Sequence, residues 1–325
     1  MPVEIDRRRS ALIIANPTAG TVDRQVVDDL ARLCRRWLPS VEVAWTGGRG
    51  DATTLAAAAT DRDPRGDRPG VVLAVGGDGT VREVVEGLVG SGTARGTPPT
   101  LLIVPAGTGN SNYLAQWGDL PWRQAVAGAL DPGGTAGTRG EVRLLDLFRL
   151  RESGELVLLG ACSGLIAQAL RFAADVPLTG RPRYREAMAR AAAAFTPYPG
   201  RVEVDGRVVH EGGTVLANVG GGRHRGGQYR VLPHSVLDDG LLDVCVIGDD
   251  VAATQVPELT REAAHLDHPA VVYARGTSVT VARTDGEPLW FEHDGELMPM
   301  RYPTLTLDVL PRALPVACRA DRRPG

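Results

Sequence analysis

The chain of 325 residues contains no lysine; all 36 of its basic residues are arginine. A Walker-type phosphate loop, the strand lysine of a protein kinase and the Schiff-base lysine of a pyridoxal-phosphate enzyme are therefore excluded. Cysteine is sparse as well. Cys34, Cys162, Cys245 and Cys318 stand too far apart for a zinc spacing or a compact disulfide framework, and read as core thiols in a reducing compartment. Long hydrophobic runs are also missing. No stretch nears the roughly 20 apolar residues that cross a bilayer. Arg7, Arg8 and Arg9 resemble the charged start of a signal peptide, but the apolar run 11–15 stops at Asn16-Pro17, which argues against export. A cytoplasmic chain is expected, soluble or at most peripheral on the inner face of a membrane. A formal charge of -3 excludes nucleic-acid binding through bulk positive charge. With 43% hydrophobic and 23% charged positions, the length suits two domains with separate cores.

What is present falls into two textures, divided near residue 135. Up to there, short runs rich in Val, Leu and Ile (11–15, 41–45, 71–75 and 101–104) read as strands buried on both faces. Helix-period segments (22–38, 51–60 and 80–89) lie between them, with Asp51 and Thr80 as polar caps. This alternation predicts a parallel sheet with helices on both faces. After the Gly-rich stretch 131–140, strand-like segments dominate: 142–150, 156–161, 201–204, 214–219, 241–247, 278–281, 289–292 and 304–309. Turn signals such as Asp205-Gly206, Asp239-Gly240 and Asp294-Gly295 separate them, so a mostly antiparallel β domain is expected. Only 164–174 and 181–195 carry helical character there, the second as an alanine-rich helix packed on the sheet.

The sharpest motif is Gly76-Gly77-Asp78-Gly79-Thr80, at the end of one buried strand and the start of a helix. Ligands of parallel sheets bind at the carboxyl ends of strands. Glycines let the backbone approach a phosphate, and the helix N-terminus favours negative charge. Thr80 either caps the helix or donates its hydroxyl to a phosphate oxygen. Asp78 makes sense as a magnesium ligand or as a group that polarises a hydroxyl nucleophile. Two more loops end strands of the same sheet: Asn16, Pro17, Thr18, Ala19 and Gly20, and then Pro105-Ala106-Gly107-Thr108-Gly109-Asn110. Thr46-Gly47-Gly48 would be a fourth. Loops of this kind converging on one edge describe a nucleotide cradle.

With these loops, and with Gly220-Gly221-Gly222, Pro233, Asp238-Asp239-Gly240-Leu241 and Asp294-Gly295-Glu296 following in order, the chain resembles the diacylglycerol kinase catalytic-domain family, which includes bacterial lipid kinases and sphingosine kinases. The resemblance covers residues from about 11 to 318. It implies an α/β N-terminal domain with a parallel sheet, of the kind NAD kinases and diacylglycerol kinases share, over residues 1–135 and completed by 305–320. A β-rich, mostly antiparallel, sandwich-like C-terminal domain follows over 136–304. It further implies an ATP- and Mg²⁺-dependent phosphotransferase acting on the hydroxyl of diacylglycerol or a related lipid alcohol, with nucleotide in the cleft between the domains. Residue by residue, Asn16, Pro17, Thr18, Ala19, Gly20, Thr46, Gly76, Gly77, Asp78, Gly79, Thr80, Val81, Arg82 and Thr108 match ATP-contacting positions. Glu296 matches the proton acceptor, and Asp78 and Asp294 complete the catalytic set. Asp239, with the carbonyls of Val236 and Leu241, matches a structural magnesium site. Asp146 falls in a catalytic-metal or hinge network.

Phosphoryl transfer asks mainly for positioning and charge neutralisation, so the chemistry stands without lysine. Of two Asp-Gly-Glu triplets, the second is taken as the family motif because it precedes the long closing strand, and Asp285-Gly286-Glu287 is read as a turn. The third loop continues as Ser111-Asn112-Tyr113 where members carry Asp and an aromatic, and Gly164-Leu165-Ile166-Ala167 lacks the acid often found there; both leave the acceptor open. Partners would be ATP, the lipid alcohol, a transient membrane contact and a second copy of the chain, with no nucleic acid. NAD kinase, a kinase of a soluble alcohol and a non-catalytic ATP-binding regulator are the rivals; Asn16–Gly20 is not the dinucleotide fingerprint of an oxidoreductase. His265 and His268 read as solvated surface residues. Arg223 and Arg225 are candidate partners for phosphate or anionic headgroups. Tyr113, Leu114, Trp117 and Trp122 read as packing between helices rather than as the lip of a lipid pocket.

Overall fold

A computed structural model describes residues 4–20, 22–63, 67–90, 97–107, 109–131, 137–178, 180–299 and 302–321, with Arg181 described by its backbone alone. The chain divides into two compact units, Met1–Leu145 with Arg312–Pro324, and Asp146–Pro311.

The first unit alternates strand and helix: β1 (Ala11–Ala15), α1 (Arg24–Cys34), β2 (Val41–Trp45), α2 (Asp51–Asp61), β3 (Val71–Gly76), α3 (Asp78–Val89), β4 (Thr100–Pro105), α4 (Ser111–Trp117) and α5 (Trp122–Leu130). The strands pair in parallel in the order β2-β1-β3-β4. β1 and β3 are buried along their whole length, which is why they read as unbroken apolar runs. Asp23 starts α1 by accepting the Val26 N–H, as a side-chain cap should. Trp117 and Tyr113 are buried as expected of packing residues, the Tyr113 hydroxyl donating to the Leu120 carbonyl, whereas Leu114 and Trp122 are half-buried.

The second unit is built around β5 (Gly140–Leu150), β6 (Leu156–Val157), β7 (Gly160–Gly164), α6 (Leu165–Ala173), α7 (Gly180–Ala194), β8 (Tyr198–Val204), β9 (Arg207–Gly220), β10 (Leu242–Gly248), α8 (Val256–Arg261), β11 (Val271–Gly276), β12 (Ser278–Arg283), β13 (Phe291–His293), β14 (Glu296–Leu297) and β15 (Thr304–Arg319). Within this unit β5–β6, β7–β9, β7–β13, β8–β9, β8–β12, β9–β10, β10–β11, β12–β15 and β13–β14 all pair antiparallel. β9 changes partners along its length: its first half pairs β8, and its second half lies between β7 and β10. α6 and α7 bury Leu165, Ile166, Met188 and Ala191 against Val215, Leu216, Cys245 and Ile247 of the strands. The result is a β-rich sandwich with a helical pair on it. All four cysteines are buried, and among the described residues none forms a disulfide.

Two strands carry the chain between the units. The first crossing lies inside β5 at Leu145/Asp146, later than the Gly-rich stretch near residue 135, because composition marks a loop whereas packing decides which unit a residue joins. The return lies inside β15, whose first residues pair β12 and whose Val316 pairs Leu101 of β4 in parallel. The strand β11 and the helices α4, α5 and α8 lie outside the segments that the sequence marks. α3 begins at Asp78, with Gly77 rather than Thr80 at its cap, and α2 is capped by Gly50 rather than Asp51. No helix among the described residues is long and apolar enough to cross a membrane.

Candidate functional site

In the first unit, the loops after β1, β3 and β4 interlock at the carboxyl edge of the sheet. The Asn16 side chain accepts from the Thr18 N–H at 2.9 Å and its hydroxyl at 2.8 Å, folding its own loop, and donates across to the Thr80 hydroxyl at 3.0 Å. Pro17, Thr18 and Gly20 are exposed, with Ala19 half-buried. The Gly77 and Gly107 backbones touch: a Cβ on Gly107 would lie 2.5 Å from the Gly77 Cα. Any side chain there would force the second and third loops apart. Gly76 is equally constrained, since a Cβ would lie 2.4 Å from the Thr80 hydroxyl. Gly77 leaves the start of α3 without a side-chain cap, which suits an anion at that end.

Asp78 has a use that its position in the motif does not reveal. One carboxylate oxygen accepts the Ser111 N–H at 3.0 Å, and the other accepts the Asn112 N–H at 2.9 Å and the Asn112 side-chain amide at 3.0 Å. It therefore caps α4 from the second loop. Asn110, at φ 52°, closes the third loop through reciprocal bonds with Gly107 of 2.9 and 2.8 Å. Thr108 lies outside the described residues. Thr46 is buried, and the N–H groups of Gly47 and Gly48 donate to the Asp51 carboxylate at 2.7 and 2.9 Å. That fourth loop has thus spent these two donors internally. Val81 is in the core, so only its backbone can face a ligand; Gly79 is half-buried, and Arg82 lies 3.8 Å from Glu86 along α3.

In the second unit, Asp294-Gly295 is a two-residue hairpin between β13 and β14, with both residues at positive φ (50° and 86°) as a type I′ turn requires. It presents Glu296 as an exposed residue opposite His293. The turn is held from below. The Asp294 side chain, 2% exposed, accepts the N–H groups of Leu158 and Leu159 at 2.8 and 2.7 Å, with the His293 imidazole at 3.6 Å. Burial pushes the Asp294 carboxyl up, but His293 and the two N–H groups bring it below the ordinary aspartate value. Glu292 accepts from the Gly295 N–H at 2.9 Å and from the Cys162 thiol at 2.9 Å. Burial drives its carboxyl up, opposed by the charge of Arg225. Glu292 and His293 escaped the sequence reading; the alternation of a strand edge gave no sign that an acid would point inward.

The expectations for Arg225 and His265 are corrected here, whereas Asp285 keeps the turn expected of it. Arg225 greets no anion from outside: it is buried and donates to the Asn218 side chain at 2.9 Å and to the carbonyls of Gly222 and His224. Arg223 donates to the Ser235 carbonyl. His265 is fully buried with Nε2 at 3.0 Å from the Val231 carbonyl, because its short 3-10 turn packs it under the strands. Asp285 is an exposed turn residue paired with Arg283, held down at about 2 by that guanidinium. Asp146 is buried and ties the segment 237–240 by accepting the Gly240 N–H at 2.6 Å and donating its own N–H to the Leu237 carbonyl at 2.7 Å. In that segment Asp239 forms an ion pair with Arg275 and accepts the Leu241 N–H at 3.1 Å; Val236 is buried.

Comparison with known proteins follows the same division. Residues 10–131 match the family model "Diacylglycerol kinase catalytic domain", and residues 160–318 match "YegS C-terminal NAD kinase beta sandwich-like domain". The chain belongs to the YegS-like diacylglycerol kinase family. Among its members, "Probable lipid kinase YegS-like" of Pseudomonas syringae pv. syringae (strain B728a) is 28% identical over 326 residues, covering 97% of this chain and 95% of that protein. "Probable lipid kinase YegS" of Escherichia coli O127:H6 is 25% identical, covering 94% of each. A diacylglycerol kinase structure from Bacillus anthracis str. Sterne shares the fold with a TM-score of 0.69 at 20% identity, covering 97% of this chain and 98% of that one. In this YegS-like chain the glycine loops lie on the first unit and the Asp294-Gly295-Glu296 turn on the second.

Proposed function

We propose that this YegS-like chain transfers the γ-phosphate of ATP to the hydroxyl of a lipid alcohol of the diacylglycerol type. The observation that carries the reading is the glycine-to-glycine contact of Gly77 and Gly107 beneath the uncapped start of α3. A family match to lipid kinases along both units accompanies it. Backbone N–H groups there would hold the phosphates, and the Asn16 bond to Thr80 fixes the first loop against the second.

Glu296, exposed on a rigid two-residue turn, would take the proton of the acceptor hydroxyl as the oxygen attacks. Asp294 acts on this step through geometry, by fixing the turn to the Leu158 and Leu159 backbone. Asp78 contributes in the same manner, by joining the second loop to α4. Magnesium bound with the nucleotide would supply charge neutralisation at the β- and γ-phosphates. Asp78 could ligate it only by sharing oxygens that already accept three N–H donors.

The test is transfer of labelled γ-phosphate with Mg²⁺ to a panel of lipids in mixed micelles, with NAD and water as controls. Label in the lipid phase that disappears in Glu296→Gln supports the reading. Labelled NADP, or ATP binding with no transfer to any lipid, overturns it.

A further inference from the structure

The segment 236–241 of the second unit is where the family resemblance implies a divalent cation, held by Asp239 and the carbonyls of Val236 and Leu241. One Asp239 oxygen accepts the Leu241 N–H at 3.1 Å, and the other accepts from the Arg275 guanidinium. Arg275 is the cross-strand partner of Asp243 in the β10–β11 ladder, and its Nε lies 3.3 Å from the Asp243 carboxylate. The Asp243 side chain is fully buried, and the same oxygen accepts the Tyr273 hydroxyl at 2.8 Å.

One guanidinium thus stands between two carboxylates at the outer side of Asp239. Magnesium needs near-octahedral oxygen ligands at about 2.0–2.1 Å. To coordinate Asp239 it would have to displace the guanidinium or lie against it as a like charge. Displacement would strand the buried Asp243 carboxylate without its cation, a costly change. Nor does the segment need a metal for closure, because Asp146 already ties Gly240 and Leu237 across its base. The donor set does not fit a divalent cation.

We propose that Arg275 is the built-in cation of this segment, bridging Asp239 and Asp243 in place of a bound metal, so that the second unit folds and stays folded without divalent ions. The assignment is independent of the kinase reading. The chemistry is a simple exchange of charge carriers: a planar guanidinium offers several fixed donors to two carboxylates, a geometry that suits arginine and that a lysine ammonium does not reproduce.

The test is thermal unfolding of the full chain without nucleotide, in millimolar EDTA and in millimolar MgCl₂ or CaCl₂. The wild type is expected to unfold at the same temperature in all three. A site filled to a hundredfold excess over its Kd would instead raise Tm by roughly 5–10 °C. Arg275→Gln is expected to unfold at a lower temperature in EDTA and to recover part of that loss with the divalent ion, because Asp239 and the buried Asp243 then lie together without the cation that bridged them. Should that variant fail to fold, metal content of the wild type after dialysis against MgCl₂ decides the matter, and the expected content at this site is nil. A wild-type rise of several degrees with magnesium that vanishes in Asp239→Asn overturns the proposal, as does bound metal that Asp239→Asn removes, or an Arg275→Gln variant as stable in EDTA as the wild type.

Discussion

Replacing Asp78 with alanine removes three hydrogen bonds at once, to the Ser111 N–H, the Asn112 N–H and the Asn112 side-chain amide. Two of these donors belong to the first turn of α4, so the substitution uncaps a helix of seven residues. Losing a cap costs about 0.5–2 kcal/mol, and a bond to a charged acceptor about 1.5–3 kcal/mol when its donor stays buried. Asp78 is half-buried, so water recovers part of the second term. A loss of about 2–3 kcal/mol results, which for a unit of this size lowers Tm by roughly 4–12 °C. Asp78→Asn keeps one acceptor oxygen and should fall between the variant and the wild type. Circular dichroism melting of the three proteins measures the series, and transfer activity is read well below each Tm. If Asp78→Ala melts within about 1 °C of the wild type, the bonds to α4 carry no appreciable energy and the capping role is wrong. If Asp78→Asn keeps the wild-type Tm yet loses all transfer, the carboxylate acts on the phosphates directly and not through the third loop.

Gly107→Ala should abolish ATP binding while leaving the second unit's melting unchanged, because its Cβ would lie 2.5 Å from the Gly77 Cα; isothermal titration with ATP reads the loss. The folded Asp294 carboxyl lies below its unfolded value near 3.9, so its stabilisation is present above that pH and is lost as pH falls through the lower folded value. Asp294→Asn should therefore melt lower at pH 7 and show a shallower fall in Tm between about pH 4 and pH 2, where an unchanged slope would reject the assignment. Glu292→Gln removes a buried charge but turns a donor toward either the Gly295 N–H or the Cys162 thiol; a loss of about 1–3 kcal/mol in urea unfolding is expected.

The glycine loops were legible in the sequence because each requirement is local: a strand end, a turn without Cβ and the start of a helix. The parallel pairing of the first four strands followed from the same alternation, whereas their order did not. The partners of Asp78 were not legible, since Ser111 and Asn112 stand 33 and 34 positions away and nothing in the intervening chain marks them. Arg225 and His265 misled for a related reason. Both are polar residues amid glycine or charge, and only the folded chain shows the carbonyls that meet them inside. β11 was missed because its alternation is weak and all but one of its residues are at least partly exposed, so no apolar face stands out. The Asp-Gly turn at Asp294-Gly295, by contrast, was legible from residue type alone, since that pair tolerates the positive φ both residues adopt.

The parallel pairing of Val316 with Leu101 bears on how the protein is made. Translation delivers β1 to β4 early, but the neighbour that lies beside β4 emerges only after the whole second unit has been synthesised. During that interval β4, an almost fully buried strand in the finished protein, has an open edge in the nascent chain. The first unit to be translated is thus the last to be finished, and its apolar edge stays uncovered until residue 316 arrives.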